Sequence, residues 1–225
     1  WSALPVSVTT TATYKFTTGT TIPDVKSKGD GVVTGLGGAV VSAVLSSDTF
    51  YAQDINRTSG IRVHKAYHGV LVGNTVDVGG SITTDGNGER YIEADTVVVV
   101  DTGTNGPDPL GLNNKAVGGG QFALQPGVAG GVGVNTIGLL VKAWGTITQV
   151  SGSQNDNMLS DGSGANLKIS VQPQGILVGN PTPPPSVIPA PDGTYVAVVG
   201  VCSCELAGSD IVPVIRVIGV QIVTP

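Results

Sequence analysis

An all-β fold, with two tandem copies of one small domain each closing its own core, is what this 225-residue sequence predicts, on three observations. The first is a repeat: Gly73-Asn74-Thr75-Val76-Asp77-Val78-Gly79-Gly80 returns as Gly193-Thr194-Tyr195-Val196-Ala197-Val198-Val199-Gly200. Upstream and in the same order, Asp54 and Ser59-Gly60-Ile61-Arg62-Val63 are echoed by Asp161-Gly162-Ser163-Gly164 and Leu167-Lys168-Ile169-Ser170-Val171. Leu36-Gly37-Gly38-Ala39-Val40-Val41 is matched more loosely by Trp144-Gly145-Thr146-Ile147. A strand-turn-strand order repeated at this spacing requires two cores, and the length allows about 100 residues for each. The second observation is composition. Hydrophobic residues make up 40% of the chain but aromatics only 4% and charged residues 12%, so the cores are built from Val, Ile, Leu and Ala and the surface from Thr, Ser, Asn and Gly. The third is that no segment combines a 3.6-residue apolar period with caps, so helix content should be low.

Residues 1–22 form a Thr-rich lead strand in which Val6, Val8, Ala12, Tyr14 and Phe16 alternate with Ser7, Thr9, Thr11, Thr13 and Lys15. This strand has no counterpart in the second copy and needs a sheet to join. The first domain is expected at 23–101. Val32 to Val44 should be a long bent strand, with Gly35, Gly37 and Gly38 permitting the coil of a small barrel. Phe50 to Gln53, Ile61 to Val63, Val76 to Ile82 and Tyr91 to Val100 follow as strands, and Asp85-Gly86-Asn87-Gly88 suits a hairpin turn. Residues 102–136 are a connector rich in Gly, Asn and Pro, whose Leu110, Leu112, Phe122, Leu124 and Val128 mark it as an ordered strap across both domains. The second domain is expected at 137–225. Its Pro-rich insertion at 181–191, absent from the first copy, cannot donate ladder hydrogen bonds and reads as a stiff surface loop.

The order of Gly-x-Val in a coiled first strand, an aromatic strand ending in Asp54, Ser59-Gly60-Ile61-Arg62-Val63, and Gly-x-x-Val-x-Val-x-Gly resembles the OB-fold. More closely, it is similar to the OB-like repeats of secreted bacterial surface proteins, on Phe50-Tyr51-Ala52-Gln53-Asp54, Asn56-Arg57-Thr58-Ser59-Gly60-Ile61-Arg62-Val63 and the connector's Pro109-Leu110-Gly111-Leu112-Asn113-Asn114. The resemblance covers residues 24–225. It implies two small OB-like barrels, and a ligand face on which aromatics stack and cations hold a backbone. In copy one that face would use Phe50, Tyr51, Arg62 and Tyr91, with Tyr67, Lys65 and Arg90 nearby; copy two has little to match it.

Net charge is −5 with Lys and Arg scattered singly, so the clustered cations that displace counterions from phosphates are missing and no nucleic-acid partner is expected. No run of roughly 20 apolar residues occurs, so no membrane span is expected. The chain starts at Trp1 without a charged and apolar leader, which suits a processed protein at the cell surface or outside the cell.

Chemistry-bearing motifs are sparse. Cys202 and Cys204 lie two apart on a strand, about 6.6 Å between Cα atoms, near the upper limit for a disulfide. His64 and His68 are four apart but straddle a strand end, where that spacing does not converge them. Asp85, Asn87 and Glu89, and Asp101, Asn105 and Asp108, have spacings that suit Ca²⁺, yet turn chemistry explains them equally, so no cofactor or metal is assigned. Asn56-Arg57-Thr58 is an N-glycosylation sequon. No nucleophile elbow, zinc-protease helix or phosphate loop is present, and an enzyme is not expected.

These readings combine into one expectation: an extracellular structural protein, self-assembling as a surface filament subunit. The lead strand, with Val6, Val8, Ala12, Tyr14 and Phe16 as its knobs, would be donated to a neighbouring copy, making self the partner. The alternative expectation is a secreted carbohydrate-binding or other ligand-binding module, with glycans as partners of the Phe50, Tyr51, Arg62 and Tyr91 face.

Overall fold

The computed structural model describes residues 20–103, 105–171 and 190–223. The knobs of the lead strand and most of the Pro-rich insertion lie outside the described residues. Barrel one consists of β1 (Val33–Val44), β2 (Thr49–Gln53), β3 (Gly60–His64), β4 (Thr75–Thr84) and β5 (Arg90–Asp101), closed in the order β1-β2-β3-β5-β4. All its pairings are antiparallel except β3 with β5. After the two-residue β6 (Leu110–Gly111) come β7 (Leu140–Gln149), β8 (Asp156–Ser160), β9 (Asn166–Val171), β10 (Tyr195–Ala207) and β11 (Asp210–Ile222). They follow the same order, β7-β8-β9-β11-β10, and β10 pairs with β7 to close barrel two, with β9 and β11 again parallel. The fold is thus all-β, two five-stranded OB-like barrels in tandem.

The repeated Gly-x-x-Val-x-Val-x-Gly has one structural meaning in both copies. Gly193 enters its strand at a φ of +84° and Gly73 at +88°, a region closed to most L-residues. Gly80 and Gly200 both sit where the strand register slips at a bulge. A Cβ on Gly80 would stand 2.1 Å from the Glu93 carbonyl oxygen, and one on Gly200 2.3 Å from that of Arg216. The valines between them, Val76 and Val78 in β4, Val196 and Val198 in β10, are fully buried. The motif therefore sets the coil of the barrel wall and lines its core.

Alternation places Leu36, Phe50, Ile61, Val63, Ile82 and Ile92 inside barrel one, and Ile147, Leu159, Leu167, Ile169 and Ile215 inside barrel two. A short helix, α1 (Ile22–Lys26), seals an end of the first core with Ile22 and Val25. Its start is a capping box: Asp24 N donates to Thr21 Oγ1, Thr21 N donates back to Asp24 Oδ2, and Pro23 stands in the first turn.

The connector is ordered by its own polar side chains. Gln125 is fully buried; its Oε1 accepts from Arg90 N at 2.9 Å and its Nε2 donates to Gly88 O at 3.0 Å. Ala129 N donates to Ile211 O, and Asn114, in a 3₁₀ turn at Asn114–Ala116, donates from Nδ2 to Leu159 O and Ala165 O. The strap is thereby tied to both barrels.

The barrels themselves meet closely. Gly60 and Gly138 face each other so tightly that a Cβ on Gly138, at φ +95°, would be 2.3 Å from the Gly60 carbonyl oxygen. Leu140 N donates to Gln53 Oε1 at 2.9 Å, and buried Lys26 reaches across to Ile137 O at 2.8 Å.

Candidate ligand cleft on the second barrel

In an OB barrel the outer face of the second and third strands is the usual ligand surface. On barrel one this face presents Tyr51 and Gln53 from β2 and Arg62 from β3, with Tyr91 from β5 beside Arg62 in the register. Barrel two covers it. Ser203 of β10 donates to Glu89 Oε2 at 2.5 Å, the Tyr51 hydroxyl donates to Glu89 Oε1 at 2.8 Å, and Arg62 Nη1 lies 3.5 Å from Glu89 Oε2. Arg62 Nη2 also donates to Asp85 Oδ2 at 2.6 Å, and its guanidinium stacks over the Tyr91 ring, 4.6 Å from the centroid. Next to this node, Ala43, Tyr51 and Val201 form a small apolar cluster spanning the two barrels.

The sequence-expected ligand face is therefore an internal strut. Phe50 lies in the core of barrel one and Tyr51 is 1% exposed, so neither ring offers a stacking surface. Burial, then the Glu89 charge, drives the Tyr51 phenol well above its ordinary pKa. Burial works against the Arg62 charge, but Glu89, Tyr51 and Asp85 outweigh it and hold the guanidinium more firmly protonated than usual. Tyr67 is exposed but sits apart, in the loop after β3, at a φ of +53°.

Among the described residues, the same pleat in barrel two is open. Met158 of β8 and Asn166 and Lys168 of β9 point outward, and the connector stands off from them to leave a cleft of about 650 Å³. Val212 and Pro213 of β11 and Val128 to Val132 of the connector supply apolar walls, with Lys115 at the rim. A volume of this order accommodates a drug-sized or nucleotide-sized ligand. Lys168 is held by carboxylates, 2.7 Å from Glu205 Oε2 and 3.2 Å from Asp156 Oδ2, and Glu205 in turn takes Arg216 at 2.9 Å. Burial opposes the Lys168 charge, but bonding to Glu205 and Asp156 prevails and its pKa is raised. Lys115 is exposed and forms no ion pair among the described residues, which leaves it as the available cation of the cleft. Asn114, also in the lining, is 3% exposed, and its Oδ1 is buried without a hydrogen-bond partner.

The remaining motif residues have local roles. Asp85 Oδ1 accepts from Asn87 N and Glu89 N, and Asp101 Oδ1 accepts from Gly103 N, both turn-closing bonds. His64 Nδ1 meets Glu93 Oε1 at 2.8 Å, whereas His68 Nε2 meets the Ser46 carbonyl oxygen at 3.0 Å, so the two rings serve different partners. Cys202 and Cys204 are free buried thiols of the second core; burial pushes Cys202 up to about 11 and also raises Cys204. Among the described residues, no group of three or more His, Cys, Asp or Glu side chains comes together as a metal site. Asn56 lies on the exposed loop before β3, its Oδ1 accepting from Thr58. The cleft went unseen in the sequence because its walls come from three distant segments and its floor residues are ordinary strand residues.

No family model matches the chain, and no curated protein does. Among solved structures it is similar to a murine DNA-binding protein bound with double-stranded DNA, at 13% identity and a TM-score of 0.43, covering 85% of this chain and 97% of that one. It is also similar to the tetrameric p202 HIN2, at 16% identity and a TM-score of 0.40, covering 88% of this chain and 96% of that one. These neighbours accord with the tandem OB-like fold and lend nothing to an assignment among secreted bacterial surface proteins. Against the expected filament subunit or carbohydrate module, with self or glycans as partner and no nucleic acid, the solved structures to which the chain is similar are a DNA-binding protein with double-stranded DNA and a tetramer, and those expectations are not carried further. Strand donation also lacks a vacancy in the barrels: each is closed by its own five strands.

Proposed function

We propose that this chain is a non-catalytic binding protein in which barrel one is a structural support and barrel two carries the ligand seat, a cleft for a short stretch of single-stranded nucleic acid. The observation that carries this reading is the asymmetry of the two equivalent faces: the β2–β3 face is sealed by Glu89, Tyr51 and Ser203, and the β8–β9 face is open among the described residues. OB barrels take up oligonucleotides on this face, stacking bases on apolar surface. Here Met158, Val212 and Pro213 offer the apolar surface, Asn166 a base-edge amide, and Lys115 a phosphate contact. Because the chain carries a net charge of −5, binding must be led by bases rather than phosphates.

The test is fluorescence anisotropy with labelled single-stranded oligonucleotides and their duplexes. The single strand should bind, and Met158→Glu should weaken it about tenfold or more. With one phosphate contact the salt slope should be shallow, about −0.7 in log K against log salt. Binding of duplex alone, or binding indifferent to Met158→Glu, would sink the proposal.

A further inference from the structure

A second groove, of about 460 Å³, lies on the other side of the connector, against barrel one. Val132 lines both it and the β8–β9 cleft, so the strap forms the ridge between them. Leu110, Leu112, Leu139, Val132 and Val134 supply its apolar lining. The two valines are 58% and 72% exposed, on a Gly-rich segment where nothing else covers them among the described residues. Leaving such side chains in water is costly, by about 25 cal/mol per Å² of apolar area.

The groove has one charged residue, Arg57, which enters no ion pair among the described residues. Its position is set by its loop. Asp54 N donates to Ser59 O at 3.0 Å, Arg57 N donates to Asp54 O at 2.8 Å, and Thr58 Oγ1 donates to Asp54 Oδ2 at 2.9 Å. Arg57 itself takes a φ of +60°, unusual for a residue with a side chain. An apolar groove with a single unpaired guanidinium in its lining, which is always charged and forks onto carboxylates, is complementary to one ligand chemistry. We infer that this groove binds an alkyl chain with a terminal carboxylate, the chain along Leu110, Leu112, Val132, Val134 and Leu139 and the headgroup on Arg57.

The full chain titrated calorimetrically with decanoate below its micelle concentration tests this, with decanol and acetate as single-feature controls. Decanoate should bind saturably and both controls much more weakly. Arg57→Gln should weaken decanoate roughly five- to tenfold, the loss of one charge-assisted contact. Val134→Asp should abolish binding, and both exposed-site variants should keep the thermal midpoint of the unsubstituted protein. No saturable decanoate binding overturns the inference, as does binding indifferent to both substitutions. Loss of single-strand binding in Arg57→Gln overturns it too, because the groove would then belong to the nucleic-acid path. Failure of the oligonucleotide titrations alone leaves this groove's result standing, so the two proposals fail separately.

Discussion

Lys26 shows how one residue couples the barrels and what that does to its chemistry. It is 2% exposed and lies at the end of α1, with its ammonium on Ile137 O of the other barrel. Burial lowers its pKa to about 8, partly offset by Glu89. Between about pH 8 and 10.5 the unfolded chain binds more protons at this residue than the folded one, so Lys26's destabilising contribution is full below pH 8 and fades as pH rises through that window. Cys202 and Cys204 act oppositely, because thiols that stay protonated when folded lose stability as pH rises past their unfolded pKa. A variant comparison separates the two. The unfolding free energy of the unsubstituted protein minus that of Lys26→Met should rise by about 3 kcal/mol from pH 7 to 10.5, read by urea denaturation at each pH. A flat difference would mean that Lys26 is not desolvated in the folded state. The thiols give a simpler expectation: both should react with a disulfide reagent no faster than the protein unfolds.

At the scale of the elements, the bulge glycines decide how β4 and β10 curve. Gly80→Ala and Gly200→Ala place a methyl against the Glu93 or Arg216 carbonyl at 2.1–2.3 Å, and each should cost about 3 kcal/mol as strands shift to admit it. Gly29→Ala, with open space around its Cβ position and no left-handed φ, should be neutral or slightly stabilising, by under about 1 kcal/mol in a thermal melt. Equal losses at all three positions would contradict the role given to the bulges. These glycines also show why so much of the fold was readable. The doubled motif, the alternation of Ile61 and Val63 around Arg62, and the Asp85-Gly86-Asn87-Gly88 turn are local signals that the barrel merely assembles. The helix at Ile22–Lys26 carried its own signal, Thr21-Ile22-Pro23-Asp24, a capping box with Pro in the first turn, outweighed by the Thr-rich strand pattern before it. Which faces would be covered was not local. Tyr51 alternates outward in β2 like any ligand-face residue, and only the docking of Ser203 and Val201, some 150 residues later, buries it.

At the scale of the molecule, the two barrels and the strap act as one body because their joint is held by buried polar groups that hydrogen-bond across it. Glu89 is 1% exposed and collects Tyr51, Ser203 and Arg62 from both barrels. Removing it leaves Arg62 short of its most buried counter-charge, a class of change that is strongly destabilising. Glu89→Ala should cost about 3 kcal/mol, discounted from the fully buried case because Asp85 still pairs with Arg62, and should split a single calorimetric transition into two. Two transitions in the unsubstituted protein would show that the barrels are independent.

That joint is also the reason for expecting one ligand seat rather than two. The most direct measurement is amide chemical-shift mapping of the labelled full chain titrated with a single-stranded oligonucleotide. Shifts should concentrate at Lys115, Val128 to Val132, Met158, Asn166 and Val212, with Tyr51, Arg62 and Tyr91 unmoved. Shifts centred on Tyr51, Arg62 and Tyr91, with the β8–β9 cleft silent, would contradict that expectation.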